Sequence, residues 1–247
     1  MVDLAPRDYS SAKNRSRIGS GLYAHVFEVL GQEIINGDLP IGSIIFAEQI
    51  SERFGVSRSV VRESLRSLAS MGLLESRPQV GTRVQPRENW DLLNPHVVHW
   101  RGQGHDYMVQ MRELLELRLG LEQVAARLAS QRITPENVQA MIAAADRMDT
   151  AFHDTHDLRA FFDADAQFHR ILLEGTGNPV IAQLSDTIGA TLHARAMDTR
   201  PGMHDLTLAS VQHHRKLAEA IAAGDEEAAA AEARALVEET LAEFAEH

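Results

Sequence analysis

Residues 46–84 read FAEQISERFGVSRSVVRESLRSLASMGLLESRPQVGTRV, and the fold is decided there. Ala47, Ile50 and Phe54 stand at helical spacing and the run stops at Gly55, the residue type that accepts a left-handed C-terminal cap. After the turn Gly55-Val56, Ser57 offers its hydroxyl to the free N–H groups of a second helix, which runs to Gly72. In that helix Val61, Leu65 and Leu68 form a core stripe, while Arg58, Arg62 and Arg66, with Ser59 beside them, form a neighbouring one. LLESR and TRVQP then read as two short strands joined by Pro78-Gln79-Val80-Gly81, a wing. The pattern is helix, tight turn, arginine-lined helix and wing.

Three arginines at helical spacing equally suit a solvated face, so the surroundings must decide. From Arg53 to Arg87 the chain holds seven arginines against two acids, Glu63 and Glu75, in a protein of net charge −11. A basic island of +5 in an acidic chain is the footprint of phosphate binding, and a recognition helix presents its N-terminal residues to base edges in a major groove.

Pro40, Gly42, SRSVVRESLRSL, Gly72-Leu73 and Gly81-Thr82-Arg83-Val84 together resemble the winged helix-turn-helix of the GntR superfamily of bacterial transcription regulators. The resemblance implies DNA contacts at Ser57, Arg58, Ser59 and Arg62, with Gly81 at the wing. Arg66 and Arg83 complete the candidate DNA-binding set. Gln49 departs from the family pattern, where many members have arginine.

The chain has 247 residues, enough for one small and one medium domain. It has no cysteine, which excludes disulfides and thiolate metal sites and suits a reducing compartment. MVDLAPRDYSSAKNRSR lacks the apolar core of a signal peptide, and no run of apolar residues is long enough to span a bilayer. A soluble cytoplasmic protein without a membrane partner is expected. Residues 1–90 carry 11 basic and 10 acidic residues, whereas residues 91–247 carry 13 and 25. A second half near −12 repels a duplex, so nucleic acid belongs to the first half.

The expected organisation is a flexible arm over 1–20, a winged helix-turn-helix over 21–88, a linker over 89–106 and an all-helical domain over 107–247. The fold class is mainly α, with the second domain an antiparallel bundle of six or seven helices. Its breaks are Ile133-Thr134-Pro135-Glu136, Gly175 to Pro179, Arg200-Pro201-Gly202 and Gly224-Asp225. Trp90 and Trp100 in the linker are expected to fasten the two domains together, because rings of that size dock. PRENW followed by VVHW is similar to the linker of GntR regulators of sugar-acid catabolism, galactonate regulators included.

Several polar residues fall on inward stripes of the second half. Arg118 shares one with Leu114, Leu121, Ala125 and Leu128, so it needs a carboxylate, from Glu122, another helix or a ligand. Asp165 and His169 are one helical turn apart, and His214 shares a face with Leu217, Ala218 and Ile221. Each histidine alone suits a core position with one hydrogen bond. Together Asp165, His169 and His214 form an oxygen and imidazole set suited to zinc, nickel or manganese.

ELRLGLEQVAARLA, then DxxFH, GNP and HxxLxxAIxxGD resemble the helical ligand-binding (FCD) domain of FadR-type GntR regulators, over Tyr107 to Phe244. Metal-containing members use one Asp and three His. The first three positions match Asp165, His169 and His214, and the fourth falls on Leu236. Three arrangements stay open: three protein ligands completed by effector or water, substitution by His193, or a metal-free cavity that hydrogen-bonds the effector directly. Arg118, His193 and Arg195 are the candidate effector-binding residues. The resemblance implies a homodimeric repressor on a palindromic operator, controlled by a small organic acid such as an aldonate. A metal-sensing regulator and a metalloenzyme with an N-terminal targeting segment are the alternatives.

Overall fold

The computed structural model describes residues 20–77, 81–197 and 207–245. The expected arm, apart from Ser20, the wing tip 78–80 and the break at 200–202 lie outside the described residues. The chain divides into two compact units, Met1–Gly104 and His105–His247.

The first unit contains α1 (Ser20–Ile35), β1 (Ile44–Ile45), α2 (Ala47–Phe54), α3 (Arg58–Ser70), β2 (Leu74–Arg77), β3 (Gly81–Val84) and α4 (Pro95–Gln103). Gly55 ends α2 at φ 63°, a conformation that favours glycine. The Ser57 hydroxyl accepts from the Val60 N–H at 3.4 Å and opens α3. Val61, Leu65 and Leu68 are buried while Arg58, Arg62 and Arg66 are exposed, so the two stripes of α3 separate core from solvent. The strands form an antiparallel sheet in the order β1-β3-β2, with Glu75 opposite Arg83 and Ser76 opposite Thr82. Val26, Leu30 and Ile34 of α1 meet Ile50, Val61, Leu68, Leu73 and Val84 in one core. Each such side chain contributes about 1.5–3 kcal/mol by leaving water. This is a winged helix-turn-helix.

The two tryptophans depart from expectation, because both pack into the core of the first unit. Trp100 is 1% exposed, donates its ring N–H to Glu28 at 2.6 Å and packs edge-on to Phe27. A Cβ on Gly31 would lie 2.5 Å from the Trp100 ring, so the glycine makes its seat. Trp90 donates to the Gln85 carbonyl at 3.0 Å. The cause is a helix inside the expected linker. Asn94 accepts from the His96 N–H and Pro95 takes the first turn of α4, which carries Val97 and Trp100 on one face into the core.

The second unit contains α5 (Tyr107–Arg132), α6 (Pro135–Thr150), a π-helical turn (Ala151–Thr155), α7 (Leu158–Gly175), α8 (Pro179–Ala182), α9 (Ser185–Ala196), α10 (Leu208–Ala223) and α11 (Glu226–Ala245). Among the described residues it has seven helices and no strand. Thr134 caps α6 from the Asn137 N–H, with Pro135 next to it, and Gly224 closes α10 at φ 72°. α5 packs along α11 and against α7, while α10 packs against α6 and α11. Alanines such as Ala125, Ala129, Ala144 and Ala229 let the helix backbones approach, with Phe161, Phe168 and Leu172 filling between them. Arg118, Glu122, Asp165, His169 and His214 are each 4% exposed or less, deep in this unit. Buried charges require partners. No described helix is long and apolar enough to cross a membrane.

Candidate functional site

The first unit presents a basic groove of about 750 Å³, lined by Phe46, Arg62, Arg66, Arg77, Gly81 and Thr82 among others. Ser57, Arg58 and Ser59 are exposed at the N-terminal turn of α3. Arg58 lies 3.5 Å from Glu48 and Arg66 3.2 Å from Glu63. These exposed pairs contribute little and yield easily to a phosphate. Arg83 is exposed on β3, where strand alternation sets it opposite Thr82, the residue that faces the groove. Arg77 lines the groove although only the charge of the basic island hinted at it.

The second unit holds a chain of charged contacts. Arg118 Nε donates to Glu122 Oε1 at 2.6 Å, and an Arg118 terminal nitrogen lies 3.0 Å from His169 Nε2. His169 Nε2 and His214 Nε2 each lie 3.1 Å from Asp165 Oδ1. His214 Nδ1 faces the Ser210 carbonyl at 2.8 Å, so its other nitrogen points into the cluster. His169 Nδ1 stands 3.2 Å from Glu122 Oε2, within ionic reach but without hydrogen-bond alignment.

Burial alone would raise the Glu122 carboxyl, but the adjacent Arg118 and His169 outweigh it and hold Glu122 at about 2. Burial would likewise raise Asp165, yet hydrogen bonds from His169 and His214 keep it well below the usual carboxylate range. Burial pushes His169 down and Arg118 repels its proton, while Glu122 and Asp165 prevail and lift it to about 9. Carboxylates and cations here hold each other ionised out of water.

Beside this chain lies a small cavity lined by Arg118, Phe162, Asp165, Arg195, His214 and Leu236, and also by Thr207, Glu239 and Glu243. Its free space is about 10 Å³, the size of one water or a bare ion. Arg195 is 7% exposed, bonds Glu243 at 2.8 Å and lies over the Phe162 ring at 5.2 Å. His193 does not join it. His193 is exposed, because two residues along a helix turn a side chain by about 200°. Only one of His193 and Arg195 can face the cavity, so His193 neither binds there nor serves as a fourth ligand.

The donor set itself fits an ion. Ligand atoms from Asp165, His169 and His214 all lie within 4.8 Å of one another. Donors about 2.1 Å from a tetrahedral ion stand about 3.4 Å apart, near the contacts to Asp165 seen here. Leu236, 4% exposed, lines the same cavity and offers no ligand atom.

Residues 22–84 match the family described as bacterial regulatory proteins, gntR family, and residues 113–239 match the FCD domain. The chain is 32% identical to the galactonate operon transcriptional repressor of Escherichia coli (strain K12), over 81% of this chain and 86% of that protein. It is 29% identical to the probable D-xylose utilization operon transcriptional repressor of Paenarthrobacter nicotinovorans, over 83% of this chain and 81% of that one. A solved structure of Lar, described as controlling the agr system of Listeria monocytogenes, superposes with a TM-score of 0.63 at 19% identity, covering 95% and 99% of the two chains. That last likeness bears on the fold alone.

Proposed function

This chain belongs to the GntR family of bacterial regulatory proteins and carries an FCD domain, and on that premise we propose that it represses a sugar-acid operon. Its family makes it a DNA-binding transcription regulator, not an enzyme. In the proposed reading it is a homodimer on a palindromic operator, because two half-sites related by a dyad present the same bases to each subunit. Ser57, Arg58, Ser59, Arg62 and Arg66 address the groove and phosphates, Arg77 and Gly81 line the side of the wing, and Arg83 reaches the flanking backbone.

The observation that carries the effector half is one cavity with two buried arginines, Arg118 and Arg195, beside Asp165, His169 and His214. Asp165, His169 and His214 would hold a divalent ion, which when bound supplies a fixed positive charge for a carboxylate. Arg118 fixes Glu122, which stands beside His169 Nδ1, and Arg195, already paired with Glu243, offers a donor to the ligand. The relatives' names, a galactonate operon repressor and a D-xylose utilization operon repressor, support a sugar acid such as an aldonate. An effector alters DNA affinity only by favouring one arrangement of the protein over another.

The free space of about 10 Å³ favours a second reading, in which the ion itself is the signal. Gel shifts with DNA upstream of neighbouring sugar-acid genes separate the two. Addition of an aldonate to zinc- or nickel-supplemented protein is expected to release the operator. Release by metal alone supports metal sensing, and an affinity unchanged by every sugar acid overturns the effector reading.

A further inference from the structure

The residues lining the cavity include two buried atoms that the fold leaves unmatched. Arg195 Nε and Glu239 Oε2 are inaccessible to solvent, and neither has a hydrogen-bond partner among the described residues. The rest of each side chain is fixed. A terminal nitrogen of Arg195 is held by Glu243, and Glu239 Oε1 accepts from the Thr207 hydroxyl at 2.6 Å. Thr207 is itself pinned, since its oxygen caps α10 from the Ser210 N–H at 2.9 Å. Leu236, Glu239, Thr240 and Glu243 stand at helical spacing on α11, and all four line the cavity.

A fixed carboxylate with one free oxygen accepts hydrogen bonds and repels a second carboxylate, so it is suited to a hydroxyl group. A carboxylate effector therefore takes up the opposite end, near Arg118 and the Asp165, His169 and His214 cluster. Glu243 already neutralises Arg195, so the Arg195 Nε–H serves as a neutralised donor to an oxygen of the same ligand. Resting on the sugar-acid reading above, we propose that Glu239 determines specificity by accepting from a hydroxyl of the effector, which limits the class to hydroxylated monocarboxylates and rejects unsubstituted acids of equal length. Buried polar groups left unpaired by an analogue lacking hydroxyls are the source of such rejection. The signal lay outside local sequence pattern, because Thr207 and Glu239 are 32 residues apart.

Calorimetric titration of the full-length, zinc-supplemented protein with D-galactonate, D-gluconate, hexanoate and 6-aminohexanoate tests this. The wild type is expected to favour a hydroxylated acid over hexanoate, and Glu239→Gln to lose about 10- to 100-fold of that preference. Thr207→Val, which frees the carboxylate without removing it, is expected to lose a smaller part and guards against a folding defect in the first variant. Equal losses for hydroxylated and plain acids, or an unchanged ratio in both variants, overturn the role of Glu239. Tighter binding of 6-aminohexanoate than of either hydroxy acid also overturns it, in favour of an amine. Failure of the wild type to bind any hydroxylated acid overturns the sugar-acid reading itself, and is seen without the variants.

Discussion

Replacing Arg118 with methionine removes the cation from a pair in which both side chains are almost fully buried, 3% and 1% exposed. Its magnitude follows from Glu122. That carboxyl is held at about 2 against a usual 4.5, in spite of burial, by Arg118 first and His169 second. A drop of that size corresponds to about 3 kcal/mol of preference for the charged form. Losing Arg118 leaves Glu122 buried without its first partner, and breaking a buried pair from one side costs roughly 3–5 kcal/mol. At a urea dependence of about 2 kcal/mol per molar, the midpoint of the helical unit falls by about 1.5 M. Far-UV circular dichroism reads mostly that unit, whereas tryptophan emission reads the first unit alone, since Trp90 and Trp100 both lie there. The double variant Arg118→Met with Glu122→Leu leaves no orphaned charge on Glu122 and is expected to recover most of the loss. A single variant within about 0.5 kcal/mol of wild type, or a double variant no better than the single, would refute the claim that the pair exists to satisfy Glu122.

Arg62→Ala is expected to weaken specific operator binding by about 1–3 kcal/mol while leaving the melting curve in place, and an unchanged gel shift at physiological salt removes Arg62 from the interface. His214→Ala is expected to lower bound zinc, measured by elemental analysis after dialysis. Leu236→His is expected to tighten zinc against a competing chelator, and no gain there counts against an ion between Asp165, His169 and His214. Gly72→Ala places a Cβ 1.9 Å from the Asn89 carbonyl oxygen at φ 74°, so the melting temperature of the winged helix is expected to fall; a neutral result contradicts that close approach.

The parts of the molecule legible in its sequence are those governed by local spacing. The Gly55 cap, the two stripes of α3, the Thr134-Pro135 start and the inward positions of Arg118, Asp165, His169 and His214 all follow from helical periodicity. Composition misleads where a local signal outweighs it. The proline and glycine content around Trp90 and Trp100 suggests a linker whose rings fasten two domains, yet Asn94-Pro95 is a helix start and the rings pack in the first core. His193 lies only two positions from Arg195, which on a helix turns it about 200° away, and it is exposed. Arg118 could be assigned a carboxylate from its own helix, but its contact with His169, 51 residues away, could not be read from spacing. Arg195 with Glu243 and Thr207 with Glu239 are likewise products of tertiary packing.

A free space of about 10 Å³ has a quantitative consequence for how such a regulator is tuned. Any effector larger than an ion binds only to a more open conformer, so its apparent dissociation constant is the intrinsic one divided by the open fraction. At an open fraction of about 1%, a site of about 1 µM intrinsic affinity responds near 100 µM. Sensitivity can then be set by residues that make no polar contact at all. Trimming Leu236 or Phe162 at the wall would raise the open fraction and lower the threshold of response, while the chemistry that selects the effector stayed as it is.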